Sequence, residues 1–351
     1  MKLTIGWSEL THQLHILKGY MEKLSSLQSL VLYSSYLDVN GAYEFGEKIS
    51  NLKDLKTIKL DFWLEDPDDR LVELFLRLKD LSNLQQLYLK TSLGLHFCKY
   101  YQNIYNTLSE LKNLRWFIMQ EDSTLDDEAL IQLALAIKTW KSLELLEIEF
   151  SFARNLEKEV LISLAESLIS KPLKSLHLKL YIGGDQSGFS LLQERINQLT
   201  TLRELSISIR SNELSCNDPL YFITESLINL DILGLNCFNC DLRTLQLITE
   251  SLQKLTRLTS LCLRITKTQD IKDSSLLNLS KGIRELKRLK YFDFKMPVVI
   301  SKETFIHFKD TLKCLRNLIR VHLNIKGDAL GKNISLADLH IPYAIFDIGG
   351  F

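Results

Sequence analysis

Four groupings of residues in this chain have types and spacings that could do chemistry. Gly183-Gly184-Asp185-Gln186-Ser187-Gly188 follows a strand-like pattern and precedes a helix-like one. That is the context in which backbone N–H groups cradle a phosphate. The segment lacks the Lys-Ser/Thr pair of a P-loop and the spacing of a dinucleotide fingerprint, so it reads as a surface connection. Cys237-Phe238-Asn239-Cys240 has the spacing of a redox dithiol. A thioredoxin-like pair works at a helix start beside a βαβ turn, and zinc would need a second such pair. This pair reads as lying in a loop with no second pair, which makes both cysteines structural. His12 and His15 stand three apart with no further ligands nearby. The acids Glu65, Asp66, Asp68 and Asp69 surround Pro67 without the order of a calcium loop. Kinase signatures and a Gly-x-Ser-x-Gly elbow are absent. The sequence therefore predicts no catalytic residue, no metal site and no cofactor, and a protein that is not an enzyme.

Composition narrows the classes further. Lys and Arg total 43, and Asp and Glu total 43. No net field draws such a chain to nucleic acid or to an acidic membrane. The first residues, MKLTIGWSEL, have no apolar stretch or cleavage site of a signal peptide. No apolar run is long enough to span a bilayer. Six scattered cysteines (Cys98, Cys216, Cys237, Cys240, Cys262, Cys314) read as reduced thiols of a cytoplasmic protein.

The elements that must position any site come from one repeated phrase. Leu-x-x-Leu-x-x-Leu-x-Leu recurs eleven times with conservative swaps at intervals of 28 to 31 residues. Its second anchors are Leu27, Leu55, Leu84, Leu114, Leu143, Leu173, Leu202, Leu230, Leu258, Leu289 and Leu318. The copy near Ser170 is shortened. From Leu205 apolar residues alternate with polar ones through Ile207 and Ile209, the mark of a half-buried strand. In Asp126-Asp127-Glu128-Ala129-Leu130 and onward to Ile137, apolar positions return every three or four residues and acids crowd the start. That is an amphipathic helix with a first turn suited to its dipole. A strand and a helix in each unit require parallel strands joined by helical crossovers. Strands lie roughly 4.8 Å apart and helices need roughly 10 Å, so the stack must bend with its helices outside. The expected division is a truncated repeat or cap at 1–23, eleven repeats at 24–326, and a cap or tail at 327–351.

The phrase and its period resemble the leucine-rich repeat family, in particular its ribonuclease-inhibitor-like subclass, over roughly residues 24 to 325. The resemblance implies an α/β fold: a right-handed β-α superhelix, or horseshoe, with a parallel concave sheet and helices on the convex side. One departure stands out. The family usually has Asn or Cys three residues after the last strand leucine, where it satisfies loop backbone groups. Here those positions hold Ser35, Trp63, Ser92, Tyr181, Arg210, Phe238 and Thr266. The ladder is missing, and the descending loops must be satisfied in another way.

If the strand register holds, the residues between the strand leucines face solvent on the inner wall. They include Val31, Tyr33, Lys59, Asp61, Tyr88, Lys90, Trp116, Glu147, Glu149, His177, Lys179, Arg264, Tyr291, Asp293, Lys295, Arg320 and His322. Tyr33, Tyr88 and Trp116 put amphipathic rings in the N-terminal half, and interface anchors are commonly aromatic. The C-terminal half turns more basic. The expected function is a scaffold that binds a protein partner through this wall, without nucleic acid, membrane or small-molecule substrate. The resemblance also admits a GTPase-activating regulator, for which Arg70 is the early candidate, or the substrate-recognition part of a ubiquitin ligase.

Overall fold

The alternation around Leu205 becomes a strand, and in most of the described repeats the three-to-four spacing between strands becomes a helix. The computed structural model describes residues 1–7, 23–34, 39–63, 69–92, 98–121, 125–150, 156–182, 187–211, 227–268, 271–298, 300–325 and 343–347. The chain forms two compact units: Met1–Ser175 with Ser187–Arg195, and Leu176–Gln186 with Ile196–Phe351.

The first unit carries strands β1 (Lys2–Trp7), β2 (Ser29–Ser34), β3 (Thr57–Trp63), β4 (Gln86–Ser92), β5 (Trp116–Glu121) and β6 (Leu145–Phe150). Its helices are α1 (Val39–Ile49), α2 (Asp69–Leu78), α3 (Cys98–Leu108), α4 (Asp127–Thr139), α5 (Lys158–Ser167) and most of α6 (Ser187–Asn197). The strands are parallel and in sequence order, with Leu3, Leu30, Ile58, Leu87, Phe117 and Leu146 in one register column. From Leu30 onward that column is buried, and full burial of each such side chain stabilises by about 1.5–3 kcal/mol.

The second unit holds β7 (Ser175–Ile182), β8 (Glu204–Ser211), β9 (Ile232–Cys240), β10 (Ser260–Thr268), β11 (Tyr291–Met296), β12 (Arg320–Ile325) and β13 (Tyr343–Asp347). Its helices are α7 (Leu242–Lys254), α8 (Asp273–Arg284) and α9 (Lys302–Lys313). From β8 to β13 the strands pair in parallel, and Leu205, Leu233, Leu261, Phe292 and Val321 share a buried column.

Three helix starts are fixed by side-chain caps from the acidic or hydroxyl residue before the apolar run. The Asp126 carboxylate accepts from the Ala129 N–H at 2.8 Å, Asp241 from Thr244 at 2.7 Å and Ser301 from Thr304 at 3.2 Å. Neighbouring helices lie close enough that a side chain would not fit at Gly46, Gly188 or Gly282. A Cβ on Gly46 would stand 2.9 Å from Leu74 Cα, and one on Gly282 would stand 2.8 Å from the Thr249 carbonyl oxygen.

The missing ladder has two physical explanations. Trp63, Ser92, Tyr181, Arg210, Phe238 and Thr266 lie inside strands, so the sheet itself bonds the backbone there; Trp63, for instance, stands opposite Ser92. Side-chain bridging moves to the loops that lead into the strands. Asn83 donates to the Lys53 carbonyl at 2.9 Å, Asn113 to Ser82 at 2.8 Å and Asn317 to Lys287 at 2.7 Å. Each amide reaches back one repeat to a loop carbonyl.

The shortened repeat uses a stronger device. Ser170 takes a left-handed backbone, with φ 57°, and the next residue, Lys171, is only 5 % exposed. Its ammonium donates to the carbonyls of Ile137 at 2.7 Å, Trp140 at 2.8 Å and Lys138 at 3.2 Å. These are carbonyls at the C-terminal end of α4, where cations are favoured. One repeat earlier, the buried Trp140 indole N–H donates to the Leu108 carbonyl at 3.0 Å.

Candidate functional site

The open face of the strands in each unit, away from the helices, carries the side chains that alternate with the core. In the first unit these form three rows across the strands. The near row includes Gln86, Trp116 and Leu145; the middle row Lys59, Tyr88, Ile118 and Glu147; the far row Tyr33, Asp61, Lys90, Gln120 and Glu149.

Lys59 links the first rings. Its ammonium lies 4.1 Å from the centroid of Tyr88 and 5.1 Å from that of Tyr33, inside cation–π range of both. The Tyr88 hydroxyl donates to Gln120 Oε1 at 3.1 Å, and the Gln120 amide donates to Glu147 at 2.8 Å. Burial, followed by the nearby Asp61 and Glu147 charges, pushes the Tyr88 phenol up to about 12. It therefore remains a neutral donor near pH 7. Lys90 pairs with Asp61 at 3.7 Å. Both expected cations of this face thus have partners within it. Tyr33 and Trp116 are exposed, at 39 % and 42 %, while Glu149 is half-buried in the far row. Trp116 sits in the near row, apart from the Tyr33–Lys59–Tyr88 stack. Val31 departs from expectation: its short side chain, between Thr4 and Lys59 in the middle row, is buried.

Two features of this unit were not read from the sequence. Thr91 and Glu121 are buried and hydrogen-bonded to each other. They occupy a core column that Phe150 fills in the next repeat, so a polar break in an apolar column was the available signal. At the start of the strands, Glu144 accepts from Arg115 and, at 3.0 Å, from Lys174. The Arg115 and Lys174 hydrogen bonds hold the Glu144 carboxyl below its ordinary range. Three positively and negatively charged residues from successive repeats meet there because the repeat places them one above another.

The second unit's face is centred on an anion. Its near row includes Ser260, Tyr291 and Arg320; its middle row Cys262, Asp293 and His322; its far row Arg264, Lys295 and Asn324. Asp293 Oδ2 accepts from Arg264 Nε at 3.0 Å and Nη2 at 2.5 Å, and from the Cys262 thiol at 3.5 Å. Asp293 Oδ1 lies 2.9 Å from His322 Nδ1. Burial opposes ionisation of this carboxyl, but the Arg264 hydrogen bond and charge, with His322 and Cys262, hold it below the usual carboxylate range. The Cys262 thiol is pushed up to about 11, first by burial and then by the Asp293 charge. A protonated thiol beside a fixed anion is the reverse of an activated nucleophile. Tyr291, Lys295 and Arg320 are exposed around this centre, and a shallow depression of about 380 Å³ lies among Tyr291, Asp293, Arg320 and His322. On β7 and β8, His177 approaches Glu204 to 3.1 Å, and Lys179 is half-buried.

The remaining motifs resolve as follows. Cys237 and Cys240 lie in β9, not in a loop, and both are buried. Burial pushes the Cys237 thiol up to about 12 and drives Cys240 the same way. Neither is poised for exchange. Gly183 to Gln186, His12, His15, Glu65, Asp66 and Asp68 lie outside the described residues, and Asp69 and Arg70 begin α2. No group of three or more His, Cys, Asp or Glu side chains among the described residues could hold a metal ion. No helix among them is long and apolar enough to cross a membrane.

The sequence matches no family model and no curated protein. Solved structures are similar. The internalin inlF of Listeria monocytogenes str. 4b F2365 aligns with a TM-score of 0.50 at 16 % identity, over 94 % of this chain and 83 % of that one. The yeast Rad7 and Elc1 complex aligns with a TM-score of 0.38 at 14 % identity, over 92 % and 91 %. The likeness to the internalin concerns the fold alone. Together with the repeating parallel strands and helices, it identifies an α/β solenoid of the leucine-rich-repeat kind.

Proposed function

We propose that this protein is a non-catalytic scaffold that holds a protein partner against the open face of its parallel sheet. The observation that carries the reading is the exposure of large rings among charged side chains on that face. Tyr33, Trp116 and Tyr291 are 39 %, 42 % and 48 % exposed. Aromatic anchors flanked by charges are the composition of binding hot spots, and a solenoid offers them on an extended surface. In this reading the contact surface comprises Tyr33, Lys59, Asp61, Tyr88, Lys90, Trp116, Glu147, Glu149, His177, Lys179, Arg264, Tyr291, Asp293 and Lys295. The repeat length, with a helix after nearly every strand, supports the ribonuclease-inhibitor-like subclass. The free thiols of Cys237, Cys240, Cys262 and Cys314 suit a reducing, cytoplasmic setting.

The test is quantitative affinity capture with the wild type and with a Tyr33→Ala/Trp116→Ala double variant, followed by titration of the captured partner in purified form. The partner's affinity should fall at least tenfold in the variant while the melting temperature stays within a few degrees. A partner that binds both forms equally refutes the use of this face.

A further inference from the structure

The scaffold reading leaves the partner's chemistry open, and the second unit's face constrains it. Three cations, Arg264, Lys295 and Arg320, stand on the open face of β10–β12 against one carboxylate, Asp293. Arg264 is committed to Asp293. The side chains of Lys295 and Arg320 are exposed and have neither an ion pair nor a hydrogen bond among the described residues. Their placement is specific. Arg320 is in the near row on β12 and Lys295 in the far row on β11, with Asp293 in the middle row between them. Two rows differ by two residues along a strand, so the cations are four residues and one strand apart, roughly 14 Å. An extended peptide covers roughly 13 Å between its residues i and i+4, and its side chains at i, i+2 and i+4 point to one side. The central group is an anion with neighbours already donating to it, so the side chain above it must be a neutral donor rather than an acid. A phosphodiester backbone, which carries acceptors only, would meet Asp293 with repulsion.

We infer that the β10–β12 face binds an extended acidic segment of a protein partner, with carboxylates at i and i+4 on Arg320 and Lys295 and a hydroxyl or amide donor at i+2 over Asp293. The exposed Tyr291 ring, beside Arg320 in the near row, packs against the aliphatic carbons of that segment. This rests on the scaffold reading and specifies it for one of the two faces.

The experiment uses the full chain and fluorescein-labelled peptides, followed by anisotropy. The probe is Gly-Gly-Glu-Ala-Ser-Ala-Glu-Gly-Gly. Its comparators carry Gln for both Glu, or Glu for the central Ser, and a ten-nucleotide oligothymidylate is the nucleic-acid arm. The probe should bind saturably. The Gln peptide should bind at least tenfold more weakly, as should the probe on a Lys295→Glu/Arg320→Glu variant, whose folding is checked by circular dichroism. The central-Glu peptide should be weaker than the probe on the wild type, and that difference should vanish on Asp293→Asn. Absence of binding, equal binding of the Gln peptide, or tighter binding of the oligothymidylate overturns the inference. If the peptides fail while Tyr33→Ala/Trp116→Ala still loses its captured partner, the scaffold reading stands and only this inference falls.

Discussion

The two units have cores of the same kind and differ in how they treat charge on the open face. In the first, each cation has an internal partner: Lys59 lies over the Tyr33 and Tyr88 rings and Lys90 meets Asp61. In the same unit Lys171 is buried on three backbone carbonyls. In the second, one carboxylate, Asp293, gathers Arg264, His322 and Cys262, while Lys295 and Arg320 remain in solvent. A charge already compensated within the molecule must lose that compensation, or share it, to meet a ligand. An exposed and uncompensated one surrenders only water. The same solenoid therefore offers a face whose rings are its free groups and a face whose cations are.

This contrast supposes that the cores beneath the two faces are equivalent, which is the first way to break it. Leu89→Ala in β4 and Leu263→Ala in β10 both remove fully packed strand leucines, 3 % and 0 % exposed. Each should cost about 2–5 kcal/mol in urea unfolding. If one unit tolerates its substitution, the faces are not the main difference between them.

Next in size is Lys171→Met, which strips three carbonyls at the end of α4 of their donor; unfolding should become easier by about 1–3 kcal/mol. The substitution also has a pH signature. Burial lowers the Lys171 ammonium to about 8, against roughly 10.4 for a lysine in the unfolded chain. Between those values the unfolded state binds more protons, so this residue makes the wild type more stable as pH rises through the window, and makes no further change below it. Urea midpoints from pH 7.5 to 10 should show that rise, and Lys171→Met should lack it.

The smallest effect expected is that of Tyr88→Phe. It keeps the ring under Lys59 and removes only the hydroxyl that donates to Gln120, at a cost of about 0.5–1.5 kcal/mol. Its ultraviolet titration should lose one phenol that ionises near pH 12. A variant that loses a phenol ionising near pH 10 instead would mean that the network around Tyr88 is open to water.

Much of this was legible in the chain. The strand columns follow directly from Leu-x-Leu spacing, because a period of two admits only one register that buries every leucine. The candidate face followed from the same alternation, and Tyr33, Trp116, Tyr291 and Lys295 are exposed where that alternation puts them. Other positions were illegible for particular reasons. Val31 reads as solvent-facing but is buried, because exposure depends on the length of the neighbours in its row and not on its own face. The Cys237–Cys240 pair reads as a loop because the strand leucines stop at Leu235, whereas β9 continues to Cys240. Lys171 carries no mark of its own in the shortened repeat; nothing local says that its ammonium ends among the carbonyls of the previous coil.

The sequence by itself determined the repeat, the strand and helix alternation and the side of the sheet on which each residue falls, since these rest on spacing along the chain. Tertiary structure alone decided which groups meet across coils. Lys59 finds two rings, Asp293 finds three donors, and Lys295 and Arg320 find none among the described residues, because such contacts join residues about thirty positions apart. The periodicity that stacks the coils is indifferent to what stands at its solvent-facing positions, so only the three-dimensional register reveals whether a charge there is already satisfied.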